Sequence, residues 1–261
     1  MTPSIREAYN EAFNKVSEKS ILRKAIIPKE CSKRETLWNN LAPAIYVMGV
    51  ASEVEYFKKE ASKQGFERLL HVLEVEPLVP HCPSILKEYF SNIPVTTAGC
   101  HMSHALIAKD IADNGYSHAL VFENDCAFRE ITPDDFLKEL TEWYSINKES
   151  IEFLNLGHKV SSLYPIPSTP TYKGKLLSVS KGPSHLTHSY LLNNKGAQNL
   201  KNTTNINFPC PEGLYVQDYN SERYFRGGAD DYFAGFVEQY SLDHSITFQQ
   251  FIGNNKYLSD I

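Results

Sequence analysis

The chain has no apolar run approaching the roughly 20 residues that a membrane-spanning helix needs, no excess of basic side chains, and no closely paired cysteines. Each absence removes a class of function. Its 26 basic and 31 acidic side chains leave a formal net charge of -5. Such a chain has no broad cationic face for a nucleic-acid backbone. A small nucleotide remains a good ligand, because it needs only a few backbone N–H groups and a metal. The five cysteines are Cys31, Cys82, Cys100, Cys126 and Cys210. Their number is odd and no pair has CxxC spacing, so neither a disulfide framework nor a structural zinc site is expected. Reduced thiols are the simpler reading, with one disulfide left open. The first 20 residues carry no signal-peptide pattern. A soluble cytoplasmic protein is therefore expected, with any membrane contact peripheral. In that setting Asn202-Thr203-Thr204, which matches a glycosylation sequon, is an ordinary asparagine.

What is present is a globular composition. Of 261 residues, 42% are hydrophobic and 12% aromatic, including 15 Tyr and 14 Phe. That supplies enough apolar area for one large α/β core. Residues 4–20 read as an amphipathic helix, and residues 1–40 as an N-terminal helical extension. Residues 41–261 read as a single domain. PAIYVMGV (43–50) is a buried strand, ASEVEYFKKEASKQG a helix closed by Gly65, and FERLLHVLEV a second strand. This is the rhythm of a parallel βαβ unit. CHMSHALIAKDIADNGY is a helix ending near Asn114-Gly115, and HALVF a strand. DDFLKELTEWYSINKE is a helix with Thr132 as cap and Pro133 at its entry. IEFLNLG, LLSVS and HSYLLN are strands, NKGAQNL opens a helix, and ADDYFAGFVEQYS reads as another. Proline-rich segments 76–99 and 160–175 read as loops able to close over a ligand. The fold class is α/β, with a central, mostly parallel sheet flanked by helices.

Five groups of residues can carry chemistry. HALVFENDCAF delivers Glu123, Asn124 and Asp125 where a buried strand stops, the place where open α/β sheets bind ligands. In a regular strand Glu123 and Asp125 point the same way. If Asn124 bends the chain their roles divide, one holding a divalent cation and the other a ribose or a water shell. The plain alternative is a polar turn. In Gly99-Cys100-His101-Met102-Ser103-His104 a glycine before a helix start permits close approach by a ligand, and first-turn N–H groups can receive negative charge. Helix capping and packing explain the same residues. Ser103 lacks the elbow sequence of a serine nucleophile, and His101 with His104 lacks the HExxH pattern of a zinc enzyme. Asp230 and Asp231 follow Gly227-Gly228 and suit a general base, or simply an acidic first helical turn. His185 and His188 flank a strand and read first as core or surface histidines. Lys181, Arg223 and Arg226 are candidate diphosphate partners.

Together these blocks resemble glycosyltransferase family 25, the lipooligosaccharide and collagen galactosyltransferase-like group. AGCHMSH matches its G-C-x-x-S-H motif, and GYSHALVFENDCAF its strand and acidic motif. THSYLLNNKGAQNL matches its Tyr, apolar and Gly-Ala pattern, and ADDYFAGF its late Asp segment. The resemblance covers about residues 95–235. Asn124 stands where the family motif has its middle acid, and IYVMGVASEVEY lacks the usual early donor-binding segment.

The resemblance implies a GT-A-like, Rossmann-related fold, a UDP-sugar donor and Mn²⁺ or Mg²⁺. It places Glu123 and Asp125 at the metal and donor, and Gly99, Ser103 and His104 in the donor pocket with Tyr190 bracing it. Asp230 or Asp231 is the late functional acid. The implied reaction is an inverting transfer, most often of galactose, to a hydroxyl of a glycan, glycolipid, protein or small molecule. Rival readings are a retaining transferase, a nucleotide-sugar or glycan-binding protein without turnover, and a metal-dependent phosphoesterase.

Overall fold

The computed structural model describes residues 13–14, 18, 21–24, 33–49, 51–65, 71–74, 95–157, 170–182, 187–203, 215–217, 223–225, 233 and 237–249. In chain order the elements are β1 (Ile21–Lys24), α1 (Lys33–Leu41), β2 (Ile45–Gly49), α2 (Ala51–Lys63), β3 (His71–Glu74) and α3 (Val95–Asp113). There follow β4 (His118–Glu123), β5 (Cys126–Phe128), α4 (Asp134–Asn147), β6 (Phe153–Asn155), β7 (Tyr172–Lys173) and β8 (Ser178–Lys181). The last are β9 (Ser189–Asn193), α5 (Asn194–Thr203), β10 (Tyr215–Gln217), β11 (Arg223–Phe225), β12 (Gln239–Leu242) and β13 (Thr247–Gln249).

Among the described residues nine strands form one sheet in the order β1-β3-β2-β4-β9-β6-β12-β8-β7. The expected "mostly parallel" sheet is corrected to a mixed one. Only β3-β2, β2-β4 and β6-β12 run parallel, and the other five pairings are antiparallel. The reason is β9: it runs against both β4 and β6 and so interrupts the parallel half. β10 pairs with β11 and β5 with β13 in two small ribbons.

Strand periodicity sorts the core into two layers. Tyr46, Met48, Ala119, Val121, Tyr190 and Leu192 face α3 and α5. Ile45, Val47, Leu120, Phe122 and Leu191 face α1, α2 and α4. Adjacent residues alternate between layers because successive Cβ atoms in a strand point to opposite faces. Both faces are therefore apolar, and the strands read as continuous hydrophobic runs. Trp38 of α1 is fully buried in the second layer, and β1 pairs with the β3 edge.

Three local expectations change. α3 begins at Val95, so Gly99 lies in its second turn rather than before its start. Thr132 does not cap α4. Pro133 occupies the cap position without a side-chain cap bond, while the Thr132 N–H donates to Gln64 Oε1 at 3.0 Å. The helix expected through Ser241 stops earlier, because residues 239–242 form β12. α3 does end where expected: Gly115 has φ +66°, a conformation that glycine adopts at no steric cost. Of the helix expected over 4–20 only residues 13, 14 and 18 are described, all helical. Residues 76–94 and 160–169 of the two expected loops lie outside the described residues, and within the rest of the second Tyr172–Lys173 form β7 rather than loop. No helix among the described residues is long and apolar enough to cross a membrane.

Candidate active site

The site is built where the sheet changes direction of winding. From β2 the chain passes through α2 to β3 on one side, and it later returns through α3 to β4 on the other. α2 packs in one core layer and α3 in the opposite one. The crevice beyond the carboxyl ends of β2 and β4 is therefore a topological switch point, the usual ligand position of open α/β sheets. Gly49 ends β2 there with φ +153°, and a Cβ built on it would lie 2.4 Å from Asn124 Cγ. Only glycine lets the Asn124 side chain lie against the β2 backbone. The Asn124 N–H donates to Met48 O at 2.9 Å, locking the turn onto the strand end.

Glu123 is the last residue of β4. Its odd position gives it the parity of Ala119 and Val121, and so turns it into the α3 layer. There its Oε1 lies 3.1 Å from His104 Nε2, 3.0 Å from the donating hydroxyl of Thr187, and 3.9 Å from Cys100 Sγ. Cys100 and His104 are four residues apart on α3 and so share a helix face. His104 Nδ1 lies 2.7 Å from the Tyr190 hydroxyl. A Tyr190 O–H donating to Nδ1 leaves Nε2–H to donate to Glu123, so one neutral imidazole satisfies both contacts. The Glu123 side chain is only 12% exposed. Burial pushes its carboxyl up to about 7, against the opposing effect of the Thr187 and Cys100 hydrogen bonds.

Aromatic packing holds this chain of groups still. Tyr190 stacks on Phe153 with centroids 4.7 Å apart, and Phe233 stands edge-on to His104 at 5.3 Å. Such pairs contribute about 0.5–1.5 kcal/mol each beyond their buried area.

Asp125 goes elsewhere. The turn at residues 124–125 breaks the strand parity, and Asp125 Oδ2 accepts a 2.8 Å hydrogen bond from Gln249 Nε2 of β13. The two carboxylates bracketing Asn124 thus have different neighbours. Ser103 is buried on α3, and Gly99 lies one turn before it. His188 is a buried core residue whose carbonyl accepts the Glu123 N–H at 2.9 Å. Lys181 pairs with Glu238 beside the amino end of β12. β12 runs parallel to β6 and hence to β4, so Lys181 sits at the end of the sheet away from Glu123. Asp230, Asp231, His185 and Arg226 lie outside the described residues, as does the side chain of Arg223.

A cleft of about 420 Å³ between α4, Tyr172 and Tyr240 lies at that far end too. Its main carboxylate, Glu139, already accepts the N–H groups of Lys175, Leu176 and Leu177. It has no part in the switch-point chemistry.

The sequence model of glycosyltransferase family 25 (LPS biosynthesis protein) matches residues 17–214, about three quarters of the chain. The chain belongs to glycosyltransferase family 25. No curated protein matches it closely enough to add a named relative. The family 25 match spans β1 to α5, and so includes Gly49, α3, the β4 turn and Tyr190. It makes the protein a glycosyltransferase-like enzyme.

One donor set for a cation is assembled in this family 25 site among the described residues. Cys100, His104 and Glu123 offer S, N and O atoms within 4.8 Å of one another, a group able to hold a metal ion. That mixed set suits a borderline cation. Mg²⁺ and Mn²⁺ prefer carboxylate and phosphate oxygens. The carboxylates of Glu123 and Asp125 have that chemistry, but Asp125 Oδ2 is turned to Gln249 of β13. Sequence reasoning missed Thr187, Gln249 and the pairing of Cys100 with His104. The i,i+4 spacing within CHMSH was a legible signal for the last.

Proposed function

We propose that this family 25 enzyme transfers a sugar, with galactose as the first choice, from a UDP-sugar to a hydroxyl acceptor with inversion. The observation that carries the reading is the Glu123-Asn124-Asp125 turn at the switch point, locked to Gly49 of β2. Mn²⁺ or Mg²⁺, held by Asp125 and Glu123 with the donor diphosphate, would supply charge neutralisation for the leaving UDP. His104 and Thr187 orient Glu123, and Tyr190 fixes the His104 ring. Gly99 and Ser103 belong to the α3 wall of the donor pocket in this reading. Asp230 or Asp231 takes the proton of the acceptor hydroxyl as its oxygen attacks the anomeric carbon, and the bond to the diphosphate oxygen breaks. The acceptor is a glycan, glycolipid, protein or small molecule reached from the cytoplasm.

A donor screen tests the reading. UDP-galactose, UDP-glucose and other nucleotide sugars are incubated with Mn²⁺, Mg²⁺ or EDTA, and free nucleotide diphosphate is measured. Metal-dependent UDP release from one donor, lost in Asp125→Ala, is the expected result. Release of inorganic phosphate instead of UDP contradicts it.

A further inference from the structure

The hydrogen-bonded group at the end of β4 has a chemistry the transfer reaction does not require. Cys100 and His104 project from one face of α3, and Glu123 meets them from the sheet. Tetrahedral zinc, with bonds of about 2.3 Å to sulfur and about 2.0–2.2 Å to N and O, sets its ligand atoms roughly 3.4–3.6 Å apart. The observed separations are 3.1 Å for His104 Nε2 to Glu123 Oε1 and 3.9 Å for Cys100 Sγ to the same oxygen. These two differ from the tetrahedral value by about 0.3 Å, and all three ligand atoms lie within 4.8 Å of one another, so side-chain rotation on binding has to draw Cys100 Sγ and His104 Nε2 together.

We propose that Cys100, His104 and Glu123 form a site for a thiophilic divalent cation of the zinc class, which shares Glu123 with the hard cation of the proposed transfer and differs from it in its sulfur and nitrogen ligands. Charge favours it. A Cys100 thiolate and a Glu123 carboxylate with neutral His104 exactly balance a divalent cation, so the buried complex is neutral. The surroundings favour it as well. A cation on His104 Nε2 moves the imidazole proton to Nδ1, which then donates to the Tyr190 oxygen already 2.7 Å away. A ligating histidine usually has such a partner on its other nitrogen. The Thr187 hydroxyl likewise already holds the Glu123 carboxylate. Binding releases the Cys100 thiol proton, and the Glu123 proton where it is present, to solvent. Three protein ligands leave a fourth position for water. Because Glu123 serves both cations, zinc occupancy removes one carboxylate from the transfer site and inhibits the enzyme.

Cobalt(II) spectroscopy of the full chain tests the site without reference to turnover. Metal-free protein titrated with Co²⁺ should develop a near-ultraviolet thiolate charge-transfer band. The band should be lost in Cys100→Ser and His104→Ala, and kept in Asp125→Ala. Zinc should also slow alkylation of Cys100 in the wild type by at least tenfold, read by peptide mass spectrometry, while Mg²⁺ should not. That second readout needs no variant and stands if a substitution impairs folding. Cys126 is fully buried and burial pushes its thiol well up, so it does not compete for the reagent in the folded state. A band that persists in Cys100→Ser, or Cys100 alkylation indifferent to zinc, overturns the site. Neither result bears on UDP release, so failure here and failure of the transferase reading are distinguishable.

Discussion

Replacing Glu123 with glutamine should make the protein's stability less sensitive to pH. The rise of the Glu123 carboxyl from an ordinary 4.5 to about 7 corresponds to about 3 kcal/mol between its two protonation states. In the metal-free native protein Glu123 keeps its proton up to about 7, whereas in the unfolded chain it ionises above about 4.5. Between those values the native state binds more protons, so stability is full below 4.5 and falls as pH rises through 7. About 2–3 kcal/mol of that loss should fall between pH 5 and pH 8. Glutamine has no such ionisation, while its carbonyl still accepts from His104 and Thr187. Denaturant or thermal melts of both proteins without metal, at pH 5 and pH 8, give the comparison. The absolute offset between them includes repacking, so the readout is the change in that offset. The wild type should lose about 2–3 kcal/mol relative to the variant on going to pH 8, on the order of 5–10 °C in Tm. Parallel pH profiles would refute the reasoning, because they would mean that native Glu123 titrates like an exposed carboxyl.

Other expectations follow from the same geometry. A cation that takes Glu123 must displace its proton, so Mn²⁺ affinity should fall up to tenfold per pH unit below about 7, as read by calorimetry. Gly49→Ala places a Cβ against Asn124 at a φ of +153°, and should cost about 1–3 kcal/mol in a denaturant melt while impairing nucleotide release. Tyr190→Phe removes the hydroxyl bonded to His104 Nδ1. It should cost about 1–3 kcal/mol and change the His104 ring resonances in NMR.

Much of the fold was legible where a segment spans several periods of its pattern. PAIYVMGV, HALVF and HSYLLN are apolar-centred segments and became β2, β4 and β9, and α2, α3 and α4 lie where helices were expected, with Gly65, Asn114-Gly115 and Pro133 marking their ends. What was not legible is strand direction. Nothing local in SYLLN states that it runs against both neighbours, and that one element turns a mostly parallel sheet into a mixed one. Short strands such as β5, β7 and β13, of two or three residues, hold too little of a period to be seen. At the site, the end of β4 and its acids were readable, but the parting of Glu123 from Asp125 depends on Asn124 fitting over Gly49, a contact between residues 75 positions apart. The start of α3 was placed too late, since VTTAG has weak helical character by itself. That moved Gly99 from a ligand-facing cap into a helical turn.

The central claim is transfer from a nucleotide sugar at the β4 turn, and the most direct measurement is product formation. The enzyme is incubated with UDP-galactose, Mn²⁺ and an acceptor library, and both UDP and the glycosylated product are detected for wild type, Asp125→Ala and Asp230→Asn. The account predicts metal-dependent UDP release and one product of inverted anomeric configuration, reduced at least a hundredfold in Asp125→Ala. Donor that binds by calorimetry yet is never cleaved with any acceptor, or cleavage that is unchanged in Asp125→Ala, would contradict it.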